Sequence, residues 1–251
     1  MMRIWYGFDE LPALRNPVVT VGSYDGVHTG HRRLLERIVR LAQEQDGESV
    51  VVTFSPHPRA VLGNRGERVA LLSSLKEKAL LLEAAGIGNL IVAEFTKEFS
   101  RIPSDIFVTD YLLGRIGART LVVGYNHHFG HNQEGNFEFL RRLQREKDFS
   151  IYEIPRQEVD RDKVSSTVIR RLIRAGKMEK ANRLLGHAYT LIVQTDERGE
   201  MVPDDPDKLL PPPGEYSVTV DGRNDTLTVA ADGRLSFRKR PESGEMLICF
   251  E

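Results

Sequence analysis

The sequence predicts an α/β fold, a doubly wound parallel sheet, followed by a small antiparallel β domain. Three observations predict it. From Val18 to about Pro155, short β-branched runs alternate with amphipathic stretches, and near-continuous apolar strands separated by helices indicate parallel strands covered on both faces. A turn rich in glycine and histidine, Gly22 to His31, joins the first of these strands to a helical pattern. From about residue 187 the helical period gives way to alternating strand-like runs broken by turn dipeptides.

The strand candidates of the first part are Val18 to Val21, Ser49 to Phe54, Asn89 to Val92, Thr120 to Val123 and Ser150 to Ile154. Helical patterns lie around 31–45, 74–85, 103–115 and 136–146; the first has apolar side chains at Leu34, Leu35, Ile38, Val39, Leu41 and Ala42. A further helix begins near Ser166, with Ile169, Leu172 and Ile173 as its apolar stripe, and the helices end near Leu185-Gly186. The tail offers strands at Thr190 to Thr195, Glu215 to Val220, Thr226 to Ala230, Leu235 to Arg238 and Met246 to Phe250. Asp221-Gly222 and Asp232-Gly233 are hairpin signals, so the tail is expected to be a small antiparallel sheet or an incomplete barrel. The expected domains are residues 1–186 and 187–251.

The chain has 251 residues, a formal net charge of −1 and one cysteine, Cys249. Near-balanced charge gives no field that argues for a nucleic-acid or membrane partner. A single cysteine excludes an internal disulfide framework, and Cys249 reads as a small apolar residue of the last strand. No apolar leader or long apolar span is visible, so a soluble, cytoplasmic protein is expected.

In an open parallel sheet, ligands gather at the carboxyl ends of the strands. Polar and aromatic residues crowd those ends: Gly22 to His31 after the first strand, Ser55-Pro56-His57-Pro58-Arg59 after the second, and Gly124 to Gly130 after the fourth. In the first of these, glycines and the positive end of a helix suit an anion, and His28 and His31, with Gly30 between them, can donate to phosphate oxygens. Two histidines alone make a poor structural zinc site, and no Cys/His cluster has ligand spacing, so no protein-held metal is expected. The run Val164-Ser165-Ser166-Thr167-Val168-Ile169-Arg170 has two readings, an ordinary helix cap or a second phosphate cradle in which hydroxyls, freed N–H groups and Arg170 share one turn.

His-x-Gly-His is the pattern of the nucleotidyltransferase superfamily, with its Rossmann-like sheet. Together, Gly22 to His31, Thr53 to Arg59, Val122-Val123-Gly124-Tyr125-Asn126 with Phe129-Gly130, and Val164 to Arg170 resemble the bacterial FAD synthetase family, the bifunctional riboflavin kinase and FMN adenylyltransferase. The likeness extends through Leu184-Leu185-Gly186-His187-Ala188-Tyr189. It implies adenylyl transfer from ATP, with Mg²⁺, to FMN, giving FAD and pyrophosphate. The resemblance assigns catalysis to His28, His31, Asn126 and Arg170, and nucleotide binding to Gly22, Ser23, Tyr24, Asp25, Gly30, Ser166 and Thr167. Pro56, Pro58, Asn126 and Phe129 fall on the flavin side.

The chain departs from the family in places. Asn126 stands where an acid is common, although asparagine also occurs there; His128 and Gln133 stand where arginines are frequent, and loss of those charges would weaken FMN phosphate binding while leaving the ATP half untouched. The tail lacks the Pro-Thr-Ala-Asn string of the flavokinase module, although Lys208-Leu209-Leu210-Pro211 with Gly214-Glu215-Tyr216 looks like its later part. The expected activity is therefore FMN adenylylation without riboflavin kinase activity. The alternatives are a nucleotidyltransferase with a changed acceptor and a silent flavin- or nucleotide-binding paralogue. Open edges on a truncated barrel would allow a homo-oligomer.

Overall fold

The computed structural model describes residues 1–63, 69–124, 127–154, 158–159, 162–195, 200–238 and 244–251. By its internal contacts the chain forms two compact units. The first comprises residues 1–24, 31–67 and 82–156; the second comprises 25–30, 68–81 and 157–251.

The first unit is built on a six-stranded parallel sheet: β1 (Arg3–Tyr6), β2 (Val18–Val21), β3 (Ser49–Ser55), β4 (Asn89–Glu94), β5 (Thr120–Gly124) and β6 (Ser150–Ile154), in the order β1-β4-β3-β2-β5-β6. The order reverses between β2 and β5, which pair through Val18–Thr120 and Val19–Leu121. That is the topological switch point at which an open α/β sheet offers a crevice. Period-two alternation sends Val19, Val50, Val52, Ile91, Leu121 and Val123 into one core with Phe107, Val108, Leu112 and Leu140. The last four come from the helical segments α4 (Ser104–Ile106) with its π-helical continuation Phe107–Arg115, and α5 (Phe137–Leu143), capped by the Asn136 side chain on the Phe139 N–H. The edge strand β1 escaped sequence reasoning because Arg-Ile-Trp-Tyr is short and mostly exposed; parallel pairing with β4 makes it a strand.

The second unit holds α6 (Ser166–Arg174), α7 (Met178–Leu185) and six antiparallel strands: β9 (Tyr189–Thr195), β10 (Met201–Pro203), β11 (Gly214–Val220), β12 (Arg223–Val229), β13 (Leu235–Phe237) and β14 (Met246–Phe250). A two-stranded ribbon, β7 (Glu158–Val159) with β8 (Asp162–Lys163), precedes α6. Gly186 ends α7 in the left-handed region at φ 75°. Asp221 and Gly222, at φ 45° and 80°, make the tight hairpin between β11 and β12 that the dipeptide predicted.

The barrel corrects two expectations. It closes, in the order β10-β13-β12-β11-β14-β9, rather than remaining incomplete. Three-residue β10, which the sequence reading missed, closes it by pairing with both β9 and β13. Closure removes the open edges on which the argument for association rested. The interior is filled by Leu191, Val193, Val218, Leu227, Ile248 and Phe250.

Candidate functional site

The turn after β2 is fixed by hydrogen bonds on both of its sides. In the first unit, the Tyr24 hydroxyl lies 2.7 Å from Thr20 Oγ1, Thr53 Oγ1 donates to the Ser23 carbonyl at 3.3 Å, and the Tyr24 ring meets the His31 ring edge-on with centroids 5.1 Å apart. Burial raises the Tyr24 phenol well above its ordinary range, so it stays a neutral hydroxyl. A Cβ on Gly22 would stand 3.0 Å from the Tyr24 ring, which explains glycine there.

In the second unit, the carboxylate of Asp25 is the hub. Its Oδ1 accepts from the N–H groups of Leu72 and Ser73 at 2.8 and 3.0 Å, and its Oδ2 pairs with the Arg170 guanidinium. Arg170 also donates from Nε to the Ala70 carbonyl at 2.6 Å. Asp25 is 1% exposed and Arg170 8%, so this is a buried, charge-assisted pair. The Gly26 N–H donates to Ser73 Oγ at 2.9 Å. Gly26 (φ 81°) and Val27 (φ 37°) both lie in the left-handed region; a buried β-branched residue there is strained and is held by its surroundings.

His28 is buried, and burial lowers its pKa to about 4 against a smaller opposing pull from Asp25. At neutral pH it is an uncharged imidazole. Gly30 leaves room for it: a Cβ would lie 3.3 Å from the His28 ring. Thr29 begins α1 (Thr29–Glu44) and donates from Oγ1 to the Leu184 carbonyl at 2.9 Å.

At the start of α6, Ser165 is the capping residue, accepting from the Val168 N–H at 3.4 Å. Ser166 donates to the Asp25 carbonyl at 3.1 Å, and Thr167 is exposed. Arg170 lies one turn along the same helix, turned to Asp25.

A cavity of about 500 Å³ opens in the first unit at the carboxyl end of β2. Phe54, Phe95, Phe99, Phe107 and Phe129 wall it, packed edge-on or tilted with centroids 5.3 Å apart for Phe54–Phe95 and 6.0 Å for Phe99–Phe107. Of the residues placed on the flavin side, Pro58 and Phe129 line it, and Pro56 stands exposed just before α2 (Pro58–Leu62). Asn126 lies outside the described residues. His128 and Gln133 are both at the exposed rim, joined by a contact of 3.2 Å between His128 Nδ1 and the Gln133 carbonyl. Arg101 and His131 also reach this cavity; sequence reasoning missed them, although the aromatic density between Phe95 and Phe107 marks the segment. His127, against Phe129 with ring centroids 5.8 Å apart, is lowered to about 4 by burial and by neighbouring His128.

Residues 11–168 match the FAD synthetase family. The chain belongs to that family. FAD synthetases are nucleotidyltransferases, and this chain is one of them. It is 34% identical over 202 residues to a FAD synthetase of Listeria monocytogenes, covering 80% of each chain. Against the bifunctional riboflavin kinase/FMN adenylyltransferase of the same organism it is 33% identical over 213 residues, 81% of this chain and 67% of the relative. Against the bifunctional enzyme of Escherichia coli it is 28% identical over 188 residues, 74% and 60%. A crystal structure described as a macrolide-efflux protein from Streptococcus pneumoniae superposes with a TM-score of 0.85 over 100% of this chain and 90% of that one. At 20% identity that likeness speaks to the fold alone.

Two further charged features of this FAD synthetase family member went unnoticed in the sequence. Lys208 and Glu77, with fully buried side chains, form an ion pair at 2.5 Å. Lys208 also donates to the carbonyls of Leu72 and Thr190 at 2.7 and 2.5 Å, while Glu77 accepts from the N–H groups of Ser74 and Ile192. Burial raises the Glu77 carboxyl and lowers the Lys208 amine, each opposed by its partner. Lys78, the next residue on α3 (Leu75–Ala84), is buried and lowered to about 8 by desolvation. Among the described residues, no helix is long and apolar enough to cross a membrane.

Proposed function

We propose that the chain is an FMN adenylyltransferase that transfers AMP from ATP to FMN, releasing pyrophosphate and forming FAD. The aromatic cavity carries this reading. Its volume and five phenylalanines suit a flat, largely apolar ring system, and its position after β2 and β5 is where an α/β sheet binds ligands. Phe129 and Pro58 would wall the ring, with Pro56 and Asn126 beside them.

The nucleotide would lie against Gly22, Ser23, Tyr24 and Gly30. His28 and His31 would donate to the phosphates and to the charge that builds on the α-phosphate as pyrophosphate leaves, a reaction that needs positioning and electrostatic stabilisation rather than a protein nucleophile. Ser166 and Thr167 would offer hydroxyls from the start of α6. Arg170 would serve the same site through Asp25, whose carboxylate it holds. Asp25 is the one acid in the turn, and its oxygens already meet Leu72, Ser73 and Arg170. The Mg²⁺ expected with ATP would therefore be carried by the nucleotide's own phosphates and water, as that ion often is.

The absence of Pro-Thr-Ala-Asn from the sequence supports a barrel, within residues 187–251, without riboflavin kinase activity; residues 1–186 would hold the adenylyltransferase. The histidine and glutamine at the cavity rim favour one second reading, the same chemistry on a different acceptor. Chromatography of purified protein with MgATP and either FMN or riboflavin separates these cases. FAD from FMN, and no FMN from riboflavin, is expected, with His31→Ala lowering kcat by about 10² or more. Pyrophosphate release only with another acceptor, or undiminished turnover in His31→Ala, refutes the reading.

A further inference from the structure

The ring of His187 lies between two carbonyl oxygens. Its Nε2 is 3.0 Å from the Gly26 oxygen and its Nδ1 is 2.7 Å from the Ala188 oxygen. A neutral imidazole carries one N–H, so it can donate to only one of them and must set a lone pair against the other. The imidazolium donates to both. We propose that His187 is held as the imidazolium and is a positioning residue for adenylyl transfer, fastening the Gly26 carbonyl and with it the turn that carries His28. The catalytic part of this inference rests on the function proposed above.

Gly26 is a place where fastening has consequences. Its N–H is held by Ser73 Oγ, its φ is 81°, and a Cβ on it would lie 2.9 Å from Leu72 Cδ1. The strained Val27 follows, and then His28. Strain of this kind persists only where neighbours over-determine the backbone. Ser73 holds the nitrogen of Gly26 and His187 holds its oxygen, so the peptide planes leading to His28 have little freedom.

The acids nearest the turn are already paired, so the proton on His187 rests on its two carbonyl acceptors. Asp25 and Arg170 form a pair, as do Glu77 and Lys208 beyond them. Lys78 is drawn toward its charged form by Asp25 although burial opposes it. His28 is kept neutral by burial, with the His187 and Arg170 charges acting in the same direction. One imidazole thus stays uncharged while the other carries the proton.

As pH rises and His187 loses its proton, one of its two hydrogen bonds is lost, and the rate of FAD formation falls. Long-range ¹⁵N NMR of the full chain, with the signal assigned by its loss in His187→Gln, reads the ring directly: both nitrogens protonated near neutral pH is expected, and a neutral tautomer overturns the proposal. In kinetics, His187→Gln lowers kcat about tenfold with KM for FMN unchanged, because geometry rather than acceptor binding is disturbed. His187→Arg, whose forked donors can serve two carbonyls, restores kcat and removes the loss of rate above neutral pH. Wild-type kcat and pH profile in His187→Gln overturn the positioning role. A wild-type chain that forms no FAD refutes the function, and with it that role; a neutral ring in the NMR experiment refutes the clamp itself.

Discussion

Replacing Arg170 by leucine distinguishes a buried structural pair from a phosphate ligand. The substitution leaves the Asp25 carboxylate 1% exposed without its cation and the Ala70 carbonyl without the Arg170 donor. Breaking a buried ion pair by removing one partner costs about 3–5 kcal/mol. Asp25 keeps the N–H donors of Leu72 and Ser73, which places the cost near the lower end, about 3 kcal/mol. A chain of this length loses about 2–4 °C of Tm per kcal/mol, so a fall of roughly 6–12 °C is expected in the transition that reports the second unit. Calorimetry measures it. The double variant Asp25→Asn/Arg170→Leu should lose less than the sum of the single variants, with a coupling of about 2 kcal/mol, because each single change strands the other's partner. Should Arg170→Leu leave Tm within a degree or two while raising KM for ATP, with effects additive to those of Asp25→Asn, the assignment of Arg170 to Asp25 is wrong.

Lys208→Met should lower stability by about 3–5 kcal/mol by stranding Glu77, and Lys208→Met/Glu77→Leu should recover part of that loss; equal denaturant midpoints for Lys208→Met and wild type would refute this. The pH dependence of stability follows from His28. Because its folded pKa is about 4, below the ordinary 6.5, the unfolded chain takes up the proton first, so its contribution is complete above about pH 6.5 and is lost as pH falls toward 4, about 3 kcal/mol in all. Thermal melts from pH 7 down to about 4.5 should therefore fall less steeply in His28→Gln than in wild type, and parallel curves would refute the assignment.

The parallel strands were legible because each is a short, nearly unbroken β-branched run. Residues Val18–Val21 and Ser150–Ile154 form strands with the bounds the sequence suggested. What was not legible depends on partners distant in sequence. Arg3–Tyr6 becomes a strand through β4, and Met201–Pro203 through β9 and β13. Barrel closure could not be inferred from five visible strands when the sixth has three residues. In the site, residue type and spacing pointed to His28 and His31, but not to the state of His28, because burial is a property of the folded chain. Likewise Arg170 reads in sequence as a cation beside hydroxyls; only the structure shows that Asp25, 145 positions away, meets its guanidinium.

That pairing also bears on the proposal that the turn holds the phosphates. A free carboxylate in a glycine turn facing phosphates would repel them. Here Asp25 is turned inward and neutralised by Arg170, and its Oδ1 draws in the backbone N–H groups of Leu72 and Ser73. The acid thus anchors the backbone, and in the proposed reaction His28 would meet the phosphates as a neutral donor. The left-handed backbone at Gly26 and the strained Val27, the Asp25–Arg170 pair and the His187 contact with Gly26 all act on the short segment that carries His28.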